Sequence, residues 1–222
     1  MVIYVIEAMK VAVLFSGGKD SVFAAFVCPS MGWEVVLLTI EPAEHSTMFH
    51  HPNVKWCKEQ AKEMGMEIRM VKAKGEAEAD ELEAMKDALL KMKVDGVAAG
   101  AIESEYQKER VDRIAHELGI RSFAPIWRTG EQLLDEQVRY FETYVVAVAA
   151  QGLSEGMLTR KFDAAFVKYL KGLKPAVSPH LEGGEGETFV ANAPFFKQGL
   201  KVREWKRSYL GSSGVAEITK LA

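Results

Sequence analysis

The chain has 222 residues, of which 48% are hydrophobic and 27% charged, with a net charge of −3. That length suffices for one large domain or two small ones around a sizeable core, and the slight negative charge argues against nucleic acid as the main ligand. No apolar run approaches the ~18 residues of a membrane span, and the N-terminus MVIYVIEAMK is too short and lacks the basic start of a signal peptide.

Residues 1–8 precede a more ordinary start at Met9-Lys10 and read as a strand extension or a start-site artefact. Residues 10–15 are a run of branched and small apolar residues, expected as a buried parallel strand. Ser16-Gly17-Gly18-Lys19-Asp20-Ser21 follows, and then a helix over 19–28 with Val22, Phe23 and Phe26 at helical spacing. A second strand is expected at 33–40, closed by a polar, proline-bounded loop that carries His45, His50 and His51. The pattern continues with a helix at 54–64, a strand at 67–72 and a helix at 76–93, whose Leu82, Met85, Leu89 and Met92 form one stripe. The acidic run opening that last helix reads as a solvated face that suits the helix dipole.

A strand at 94–100 ends in Gly100, and a helix over 104–118 follows. Strand and helix alternating at this rhythm predict a parallel α/β sheet with right-handed crossovers. Ligands of such sheets sit beyond the carboxyl ends of the strands, which places Ser16–Ser21, residues 41–52 and Gly100–Tyr106 together. From about residue 125 the rhythm loosens into a smaller α+β unit. It comprises a helix at 130–139, a strand at 143–153, a helix at 159–171, a glycine- and acid-rich turn at 181–190 and β-like segments to the end. The expected domains are therefore 1–124 and 125–222. Cys28 and Cys57 fit neither a CxxC nor a zinc pattern and read as two thiols of a reducing cytosol. The three histidines of the 41–52 loop lack a carboxylate or cysteine at metal-binding spacing, and a lid with Phe49 or His50 near the ligand is the better expectation.

The glycine loop is no Walker A motif, because Asp20 follows Gly18-Lys19 and Val13 stands where the earlier glycine belongs. It lacks the G-x-G-x-x-G spacing, and Leu14 breaks a G-x-S-x-G elbow, so Ser16 is not read as an acyl nucleophile. What remains is anion-binding equipment. Two glycines expose backbone N–H groups at a helix N-terminus, Ser16 and Ser21 add hydroxyls, and Lys19 adds a point charge. Asp20 is the odd member, since a carboxylate repels phosphate unless it caps the helix or holds a metal.

This loop resembles the signature of the PP-loop, or N-type ATP pyrophosphatase, superfamily. Further blocks at 44–53, 100–127, 149–163 and 181–196 resemble the diphthine–ammonia ligase family, in its short archaeal form. Two positions depart from the family's turn: Gly186 stands where an aromatic residue is usual and Leu181 where glycine is. The resemblance implies a HUP-like (adenine nucleotide alpha hydrolase-like) parallel-sheet domain that binds ATP, followed by a smaller α+β substrate domain. It implies a cytoplasmic enzyme that adenylates the carboxylate of diphthine on translation elongation factor 2 and amidates it with free ammonia, with no nucleic-acid or membrane partner. A homo-oligomer is left open. On this reading Ser16, Gly17, Gly18, Lys19, Asp20, Ser21, Thr39, Ile40, His50, Gly100, Ala101 and Ile102 hold ATP, with Gly100 allowing close approach of the ligand. Tyr106, Gln107, Arg110, Glu182, Glu185 and Glu187 meet the substrate. Lys19, Asp20, Glu185 and Glu187 are the catalytic candidates, and Asp20 is the candidate ligand for Mg²⁺. Competing readings are a tRNA-modifying PP-loop enzyme, disfavoured by the separated cysteines and the negative charge, and a nucleotide-binding module without turnover.

Overall fold

The computed structural model describes residues 8–42, 53–75 and 77–222; the reading of His45, Phe49, His50 and His51 falls outside them. The first unit alternates strand and helix: β1 (Lys10–Leu14), α1 (Lys19–Val27), β2 (Glu34–Glu41), α2 (Cys57–Met64), β3 (Glu67–Lys72), α3 (Glu78–Met92), β4 (Gly96–Ala98), α4 (Glu105–Leu118) and β5 (Arg121–Phe123). The five strands form one parallel sheet in the order β3-β2-β1-β4-β5, a HUP-like α/β arrangement. Val11, Ala12, Val13 and Leu37 are fully buried because both faces of a parallel sheet are covered by its crossover helices. Cys28 and Cys57 join that core, and burial pushes both thiols up to about 12, so they are inert packing groups.

Several element ends shift from the sequence expectation for local reasons. The helix expected from residue 54 opens with a single 3₁₀ turn, Val54–Trp56. The helix expected from 76 begins at Glu78, where Asp80 turns back to accept the Ala77 N–H (3.0 Å). Ser104 accepts the N–H of Gln107 (3.3 Å) and so starts α4 one residue later. Phe26 is not a core residue: it is 46% exposed and stacks on Phe195, 4.2 Å between ring centroids.

The second unit begins with α5 (Gly130–Tyr140) and β6 (Glu142–Val148), followed by α6 (Ala164–Lys171), β7 (Gly186–Asn192), β8 (Val202–Leu210) and β9 (Ser213–Leu221). Its four strands form an antiparallel sheet ordered β7-β6-β9-β8. β6 is shorter than the expected strand to residue 153. The helix expected from 159 starts only at Ala164, because Asp163 caps it through the Phe166 N–H (2.8 Å) while Lys161 forms a bridge to Tyr144. Helix and turn pack on one side of the sheet through Leu134, Val148, Leu158, Phe162, Phe166 and Leu170.

Gly100 sits where β4 passes the start of α1. A Cβ there would lie 2.9 Å from the carbonyl carbon and oxygen of Asp20 and from the nitrogen of Ser21. Gly100 thus permits a close approach between two pieces of this chain at the edge of the cavity. Gly100→Ala must push rigid backbone apart, and we expect it to cost about 1–3 kcal/mol in urea unfolding; unchanged stability would show that the contact yields freely.

Candidate active site

The carboxyl ends of β1, β2 and β4 and the turn before β7 enclose a cavity of about 270 Å³. Its polar side is Ser16, Gly18, Lys19, Asp20 and Ser21, its apolar side includes Leu38, Ile40, Leu82 and Met85, and Ala99–Ala101 and His180–Gly184 complete the wall. Lys19 is among the largest fully buried side chains of the described residues, at 1% exposure. Its ammonium group donates to Asp20 Oδ2 (2.6 Å) and to the carbonyl of His180 (2.7 Å), and lies 5.4 Å from the Phe162 ring centre. Asp20 Oδ1 in turn accepts the Nε2–H of Gln137 (2.9 Å), a residue of α5 with only 1% exposure. A buried ammonium persists only when paired and hydrogen-bonded in this way.

The glycine loop is fastened to the second sheet. Lys19 N–H donates to Thr188 Oγ1 (3.1 Å), and Val190 N–H donates to the Gly17 carbonyl (3.1 Å). Gln60 Nε2 bridges the carbonyls of Gly17 (2.9 Å) and Val190 (2.8 Å). Gly17 has φ +77°, the left-handed region that favours glycine, and a Cβ there would meet Gln60 Oε1 at 2.2 Å. Ser21 is a brace within the loop: its hydroxyl donates to the Gly18 carbonyl (3.0 Å) and accepts the Ser16 N–H (3.2 Å).

The remaining expected residues divide. Ile40, Gly100, Ala101, Gln107, Arg110, Glu182 and Glu187 line the cavity beside the loop. Thr39 does not: it is buried, and its hydroxyl donates to the Phe15 carbonyl (2.6 Å), tying β2 to the end of β1. Ile102 is a core side chain whose N–H donates to Glu182 Oε1 (2.9 Å), and Glu103 N–H takes the other oxygen of Glu182 (3.0 Å). Burial raises the Glu182 carboxyl against the lowering effect of those bonds, with Asp20 nearby adding to the rise. Glu185 faces its own turn, where Oε2 accepts the Ser178 N–H (2.8 Å). Tyr106 is 56% exposed and lies outside the cavity; Arg110 stacks on its ring, 3.3 Å to the centroid, and pairs with Glu78, which also accepts the Tyr106 hydroxyl (3.1 Å).

Sequence reasoning missed Glu78 and Glu81, which line the cavity from the acidic start of α3 expected as a solvated face. It also missed Gln60, Gln137, Thr188 and His180. Among the described residues no group of three or more His, Cys, Asp and Glu side chains is arranged to hold a metal, and none of their helices is long and apolar enough to cross a membrane.

A parallel sheet whose first strand feeds a serine–glycine–glycine–lysine loop into a helix N-terminus, over a cavity at the strand ends, defines a PP-loop-type α/β protein. The family description for the diphthamide synthase N-terminal domain matches residues 9–122, and that for its C-terminal domain matches 129–222. The chain is 31% identical over 221 residues to the diphthine–ammonia ligase of Homo sapiens, covering 87% of this chain and 83% of that one. It is 32% identical over 216 residues to the enzyme of the same name from Danio rerio, covering 86% and 85%. The crystal structure of a predicted subunit of tRNA methyltransferase from Methanocaldococcus jannaschii superposes with a TM-score of 0.46 at 19% identity, covering 84% of this chain and 98% of that one. The chain belongs to the diphthamide synthase family, a family of ligases.

His180 supplies a pH test of this geometry. Its ring is buried with Nδ1 unpaired, and burial, helped by the charge of Lys19, holds it below its ordinary value of 6.5. The unfolded chain therefore takes up a proton on acidification that the folded chain resists, and stability present above about 6.5 is lost as pH falls through that range. We expect thermal unfolding midpoints to drop from pH 7.5 to 5.5, and less steeply in His180→Asn; identical slopes would place the acid sensitivity elsewhere.

Proposed function

We propose that the chain is an ATP-dependent amide ligase that adenylates the carboxylate of diphthine on translation elongation factor 2 and transfers ammonia to it. The observation that carries this reading is the buried Lys19 ammonium at the head of a glycine loop, beside a cavity of mixed polarity at the strand ends. Family membership over both halves of the chain supports the acceptor.

In the proposed reaction a carboxylate oxygen attacks the α-phosphorus of ATP and pyrophosphate leaves with the bonding pair. Ammonia then attacks the acyl carbon, AMP leaves, and the nitrogen sheds a proton. The first step needs charge stabilisation where pyrophosphate separates, which suits Lys19 and the N-terminus of α1. The loop amides of Ser16 and Lys19 are spent on Ser21 and Thr188, so they hold the cradle's shape rather than the ligand. Leu38, Ile40, Leu82 and Met85 offer an apolar slot for a base. Glu185 stays a catalytic candidate in this proposal, positioned by the Ser178 N–H on its Oε2.

Mg²⁺ fits as a nucleotide-borne ion. Such ions are commonly held by one or two carboxylates plus substrate phosphates, and Asp20 is the loop's own carboxylate, fixed by Lys19 and Gln137. When bound, the ion would neutralise charge on the departing pyrophosphate.

The products decide between readings: turnover on diphthine-bearing factor with ammonium must give AMP and pyrophosphate, and ADP or no substrate-dependent turnover would reject the ligase. Lys19→Met should lower kcat/KM by roughly a hundredfold, about 2–3 kcal/mol of lost charge stabilisation. Wild-type turnover in that variant would remove Lys19 from the site.

A further inference from the structure

Helix α5 carries one polar side chain on an otherwise apolar buried stripe. Its buried residues are Leu133, Leu134 and Gln137, and Gln137 is only 1% exposed. One end of the Gln137 amide is used, since Nε2–H donates to Asp20 Oδ1 (2.9 Å). The other end is not: Oε1 is buried without a hydrogen-bond partner. An unpaired buried acceptor lowers stability, and methionine or leucine, of similar size, would pack there without one. Folding alone therefore gives no reason for glutamine at this position. The reason lies in the bond to Asp20.

Asp20 needs a second partner to stay where it is. It is the acid in the first turn of α1, a helix that starts at Gly18 with no side-chain cap. A carboxylate there is drawn towards the free N–H groups of the helix end. Asp20 instead meets the Lys19 ammonium with Oδ2 (2.6 Å) and the Gln137 amide with Oδ1. A carboxylate only accepts hydrogen bonds, so Gln137 must present its nitrogen, and the two donors together fix both oxygens. Lys19 in turn is held by Asp20 and by the His180 carbonyl (2.7 Å). If Asp20 turned away, one of these two acceptors would be lost and the ammonium could swing.

We propose that Gln137 is a positioning residue: by holding Asp20 Oδ1 it aims the carboxylate at Lys19, and so fixes where the ammonium charge meets the phosphates of the nucleotide. This rests on the ligase reading, which puts Lys19 where pyrophosphate separates. Gln137 is not among the residues that line the cavity, so it acts through Asp20 and Lys19 and not by contact with a ligand.

The test is a double-mutant cycle in the full chain, with Gln137→Met and Lys19→Met. Gln137→Met should unfold thermally no earlier than wild type, because the unpaired acceptor leaves the interior and Asp20, whose side chain is 22% exposed, can take water in place of the amide. Its ATP affinity by titration should fall about tenfold, as should kcat/KM for ATP with diphthine-bearing factor and ammonium. In the Lys19→Met background the same change should cost less than about twofold, because the charge it aims is gone. A purely structural role would move both backgrounds alike. Wild-type affinity and turnover in Gln137→Met, or an equal loss in both backgrounds, overturns the positioning role and leaves the ligase intact. Early unfolding of both Gln137→Met and Gln137→Leu would give the glutamine a folding role and overturn the proposal as well. If the wild-type protein binds ATP but releases no AMP with the factor, the ligase reading falls, and the cycle read by ATP affinity alone decides on Gln137.

Discussion

A buried ammonium group must find its partners inside the protein, and much of this structure follows from where Lys19 finds them. One partner, Asp20, is its neighbour in sequence; the other is the carbonyl of His180, which belongs to the second unit. Leaving such a charge unpaired would cost several kcal/mol, so the glycine loop and the turn before β7 are held in fixed relation. Thr188, Val190 and Gln60 add neutral hydrogen bonds along the same seam. The cavity is therefore shaped by both sheets at once, and the second unit acts as one of its walls.

The same seam explains what was legible in the sequence and what was not. The βα rhythm, the first sheet and the glycine loop were readable because each is encoded locally, in apolar runs of strand length and in glycines at a strand end. Gln137 and His180 left no signal, because their partners Asp20 and Lys19 lie 117 and 161 residues away. β5 escaped because it has only three residues, Arg121–Phe123, none fully buried. Thr39, expected at the nucleotide, does not line the cavity. A polar residue near the end of a buried strand looks like a ligand contact, yet its hydroxyl is consumed by the backbone of the adjacent strand.

The acid-rich turn shows how composition misleads about role. Glu182, Glu185 and Glu187 read as one group that meets the substrate. Folding separates them. Glu182 caps the two amides that follow β4, those of Ile102 and Glu103, and thereby fixes the turn against the first sheet. Glu185 closes the turn on itself through Ser178. Glu187 pairs with Ala147 of β6 through its backbone and lines the cavity. Two of the three carboxylates are thus engaged by backbone amides.

That division bears on the charge of the cavity. Burial raises the Glu182 carboxyl, and both of its oxygens accept backbone amides. Glu78 and Glu81 on α3 line the same cavity. Glu78 is bound by Arg110, which lies flat on Tyr106. Both partners of that pair are largely buried, with side chains 17% and 19% exposed, and Glu78 also accepts the Tyr106 hydroxyl. The two walls therefore differ in kind. The wall made by the glycine loop and the turn is joined by bonds that each use a backbone group, whereas the α3–α4 wall is joined through side chains.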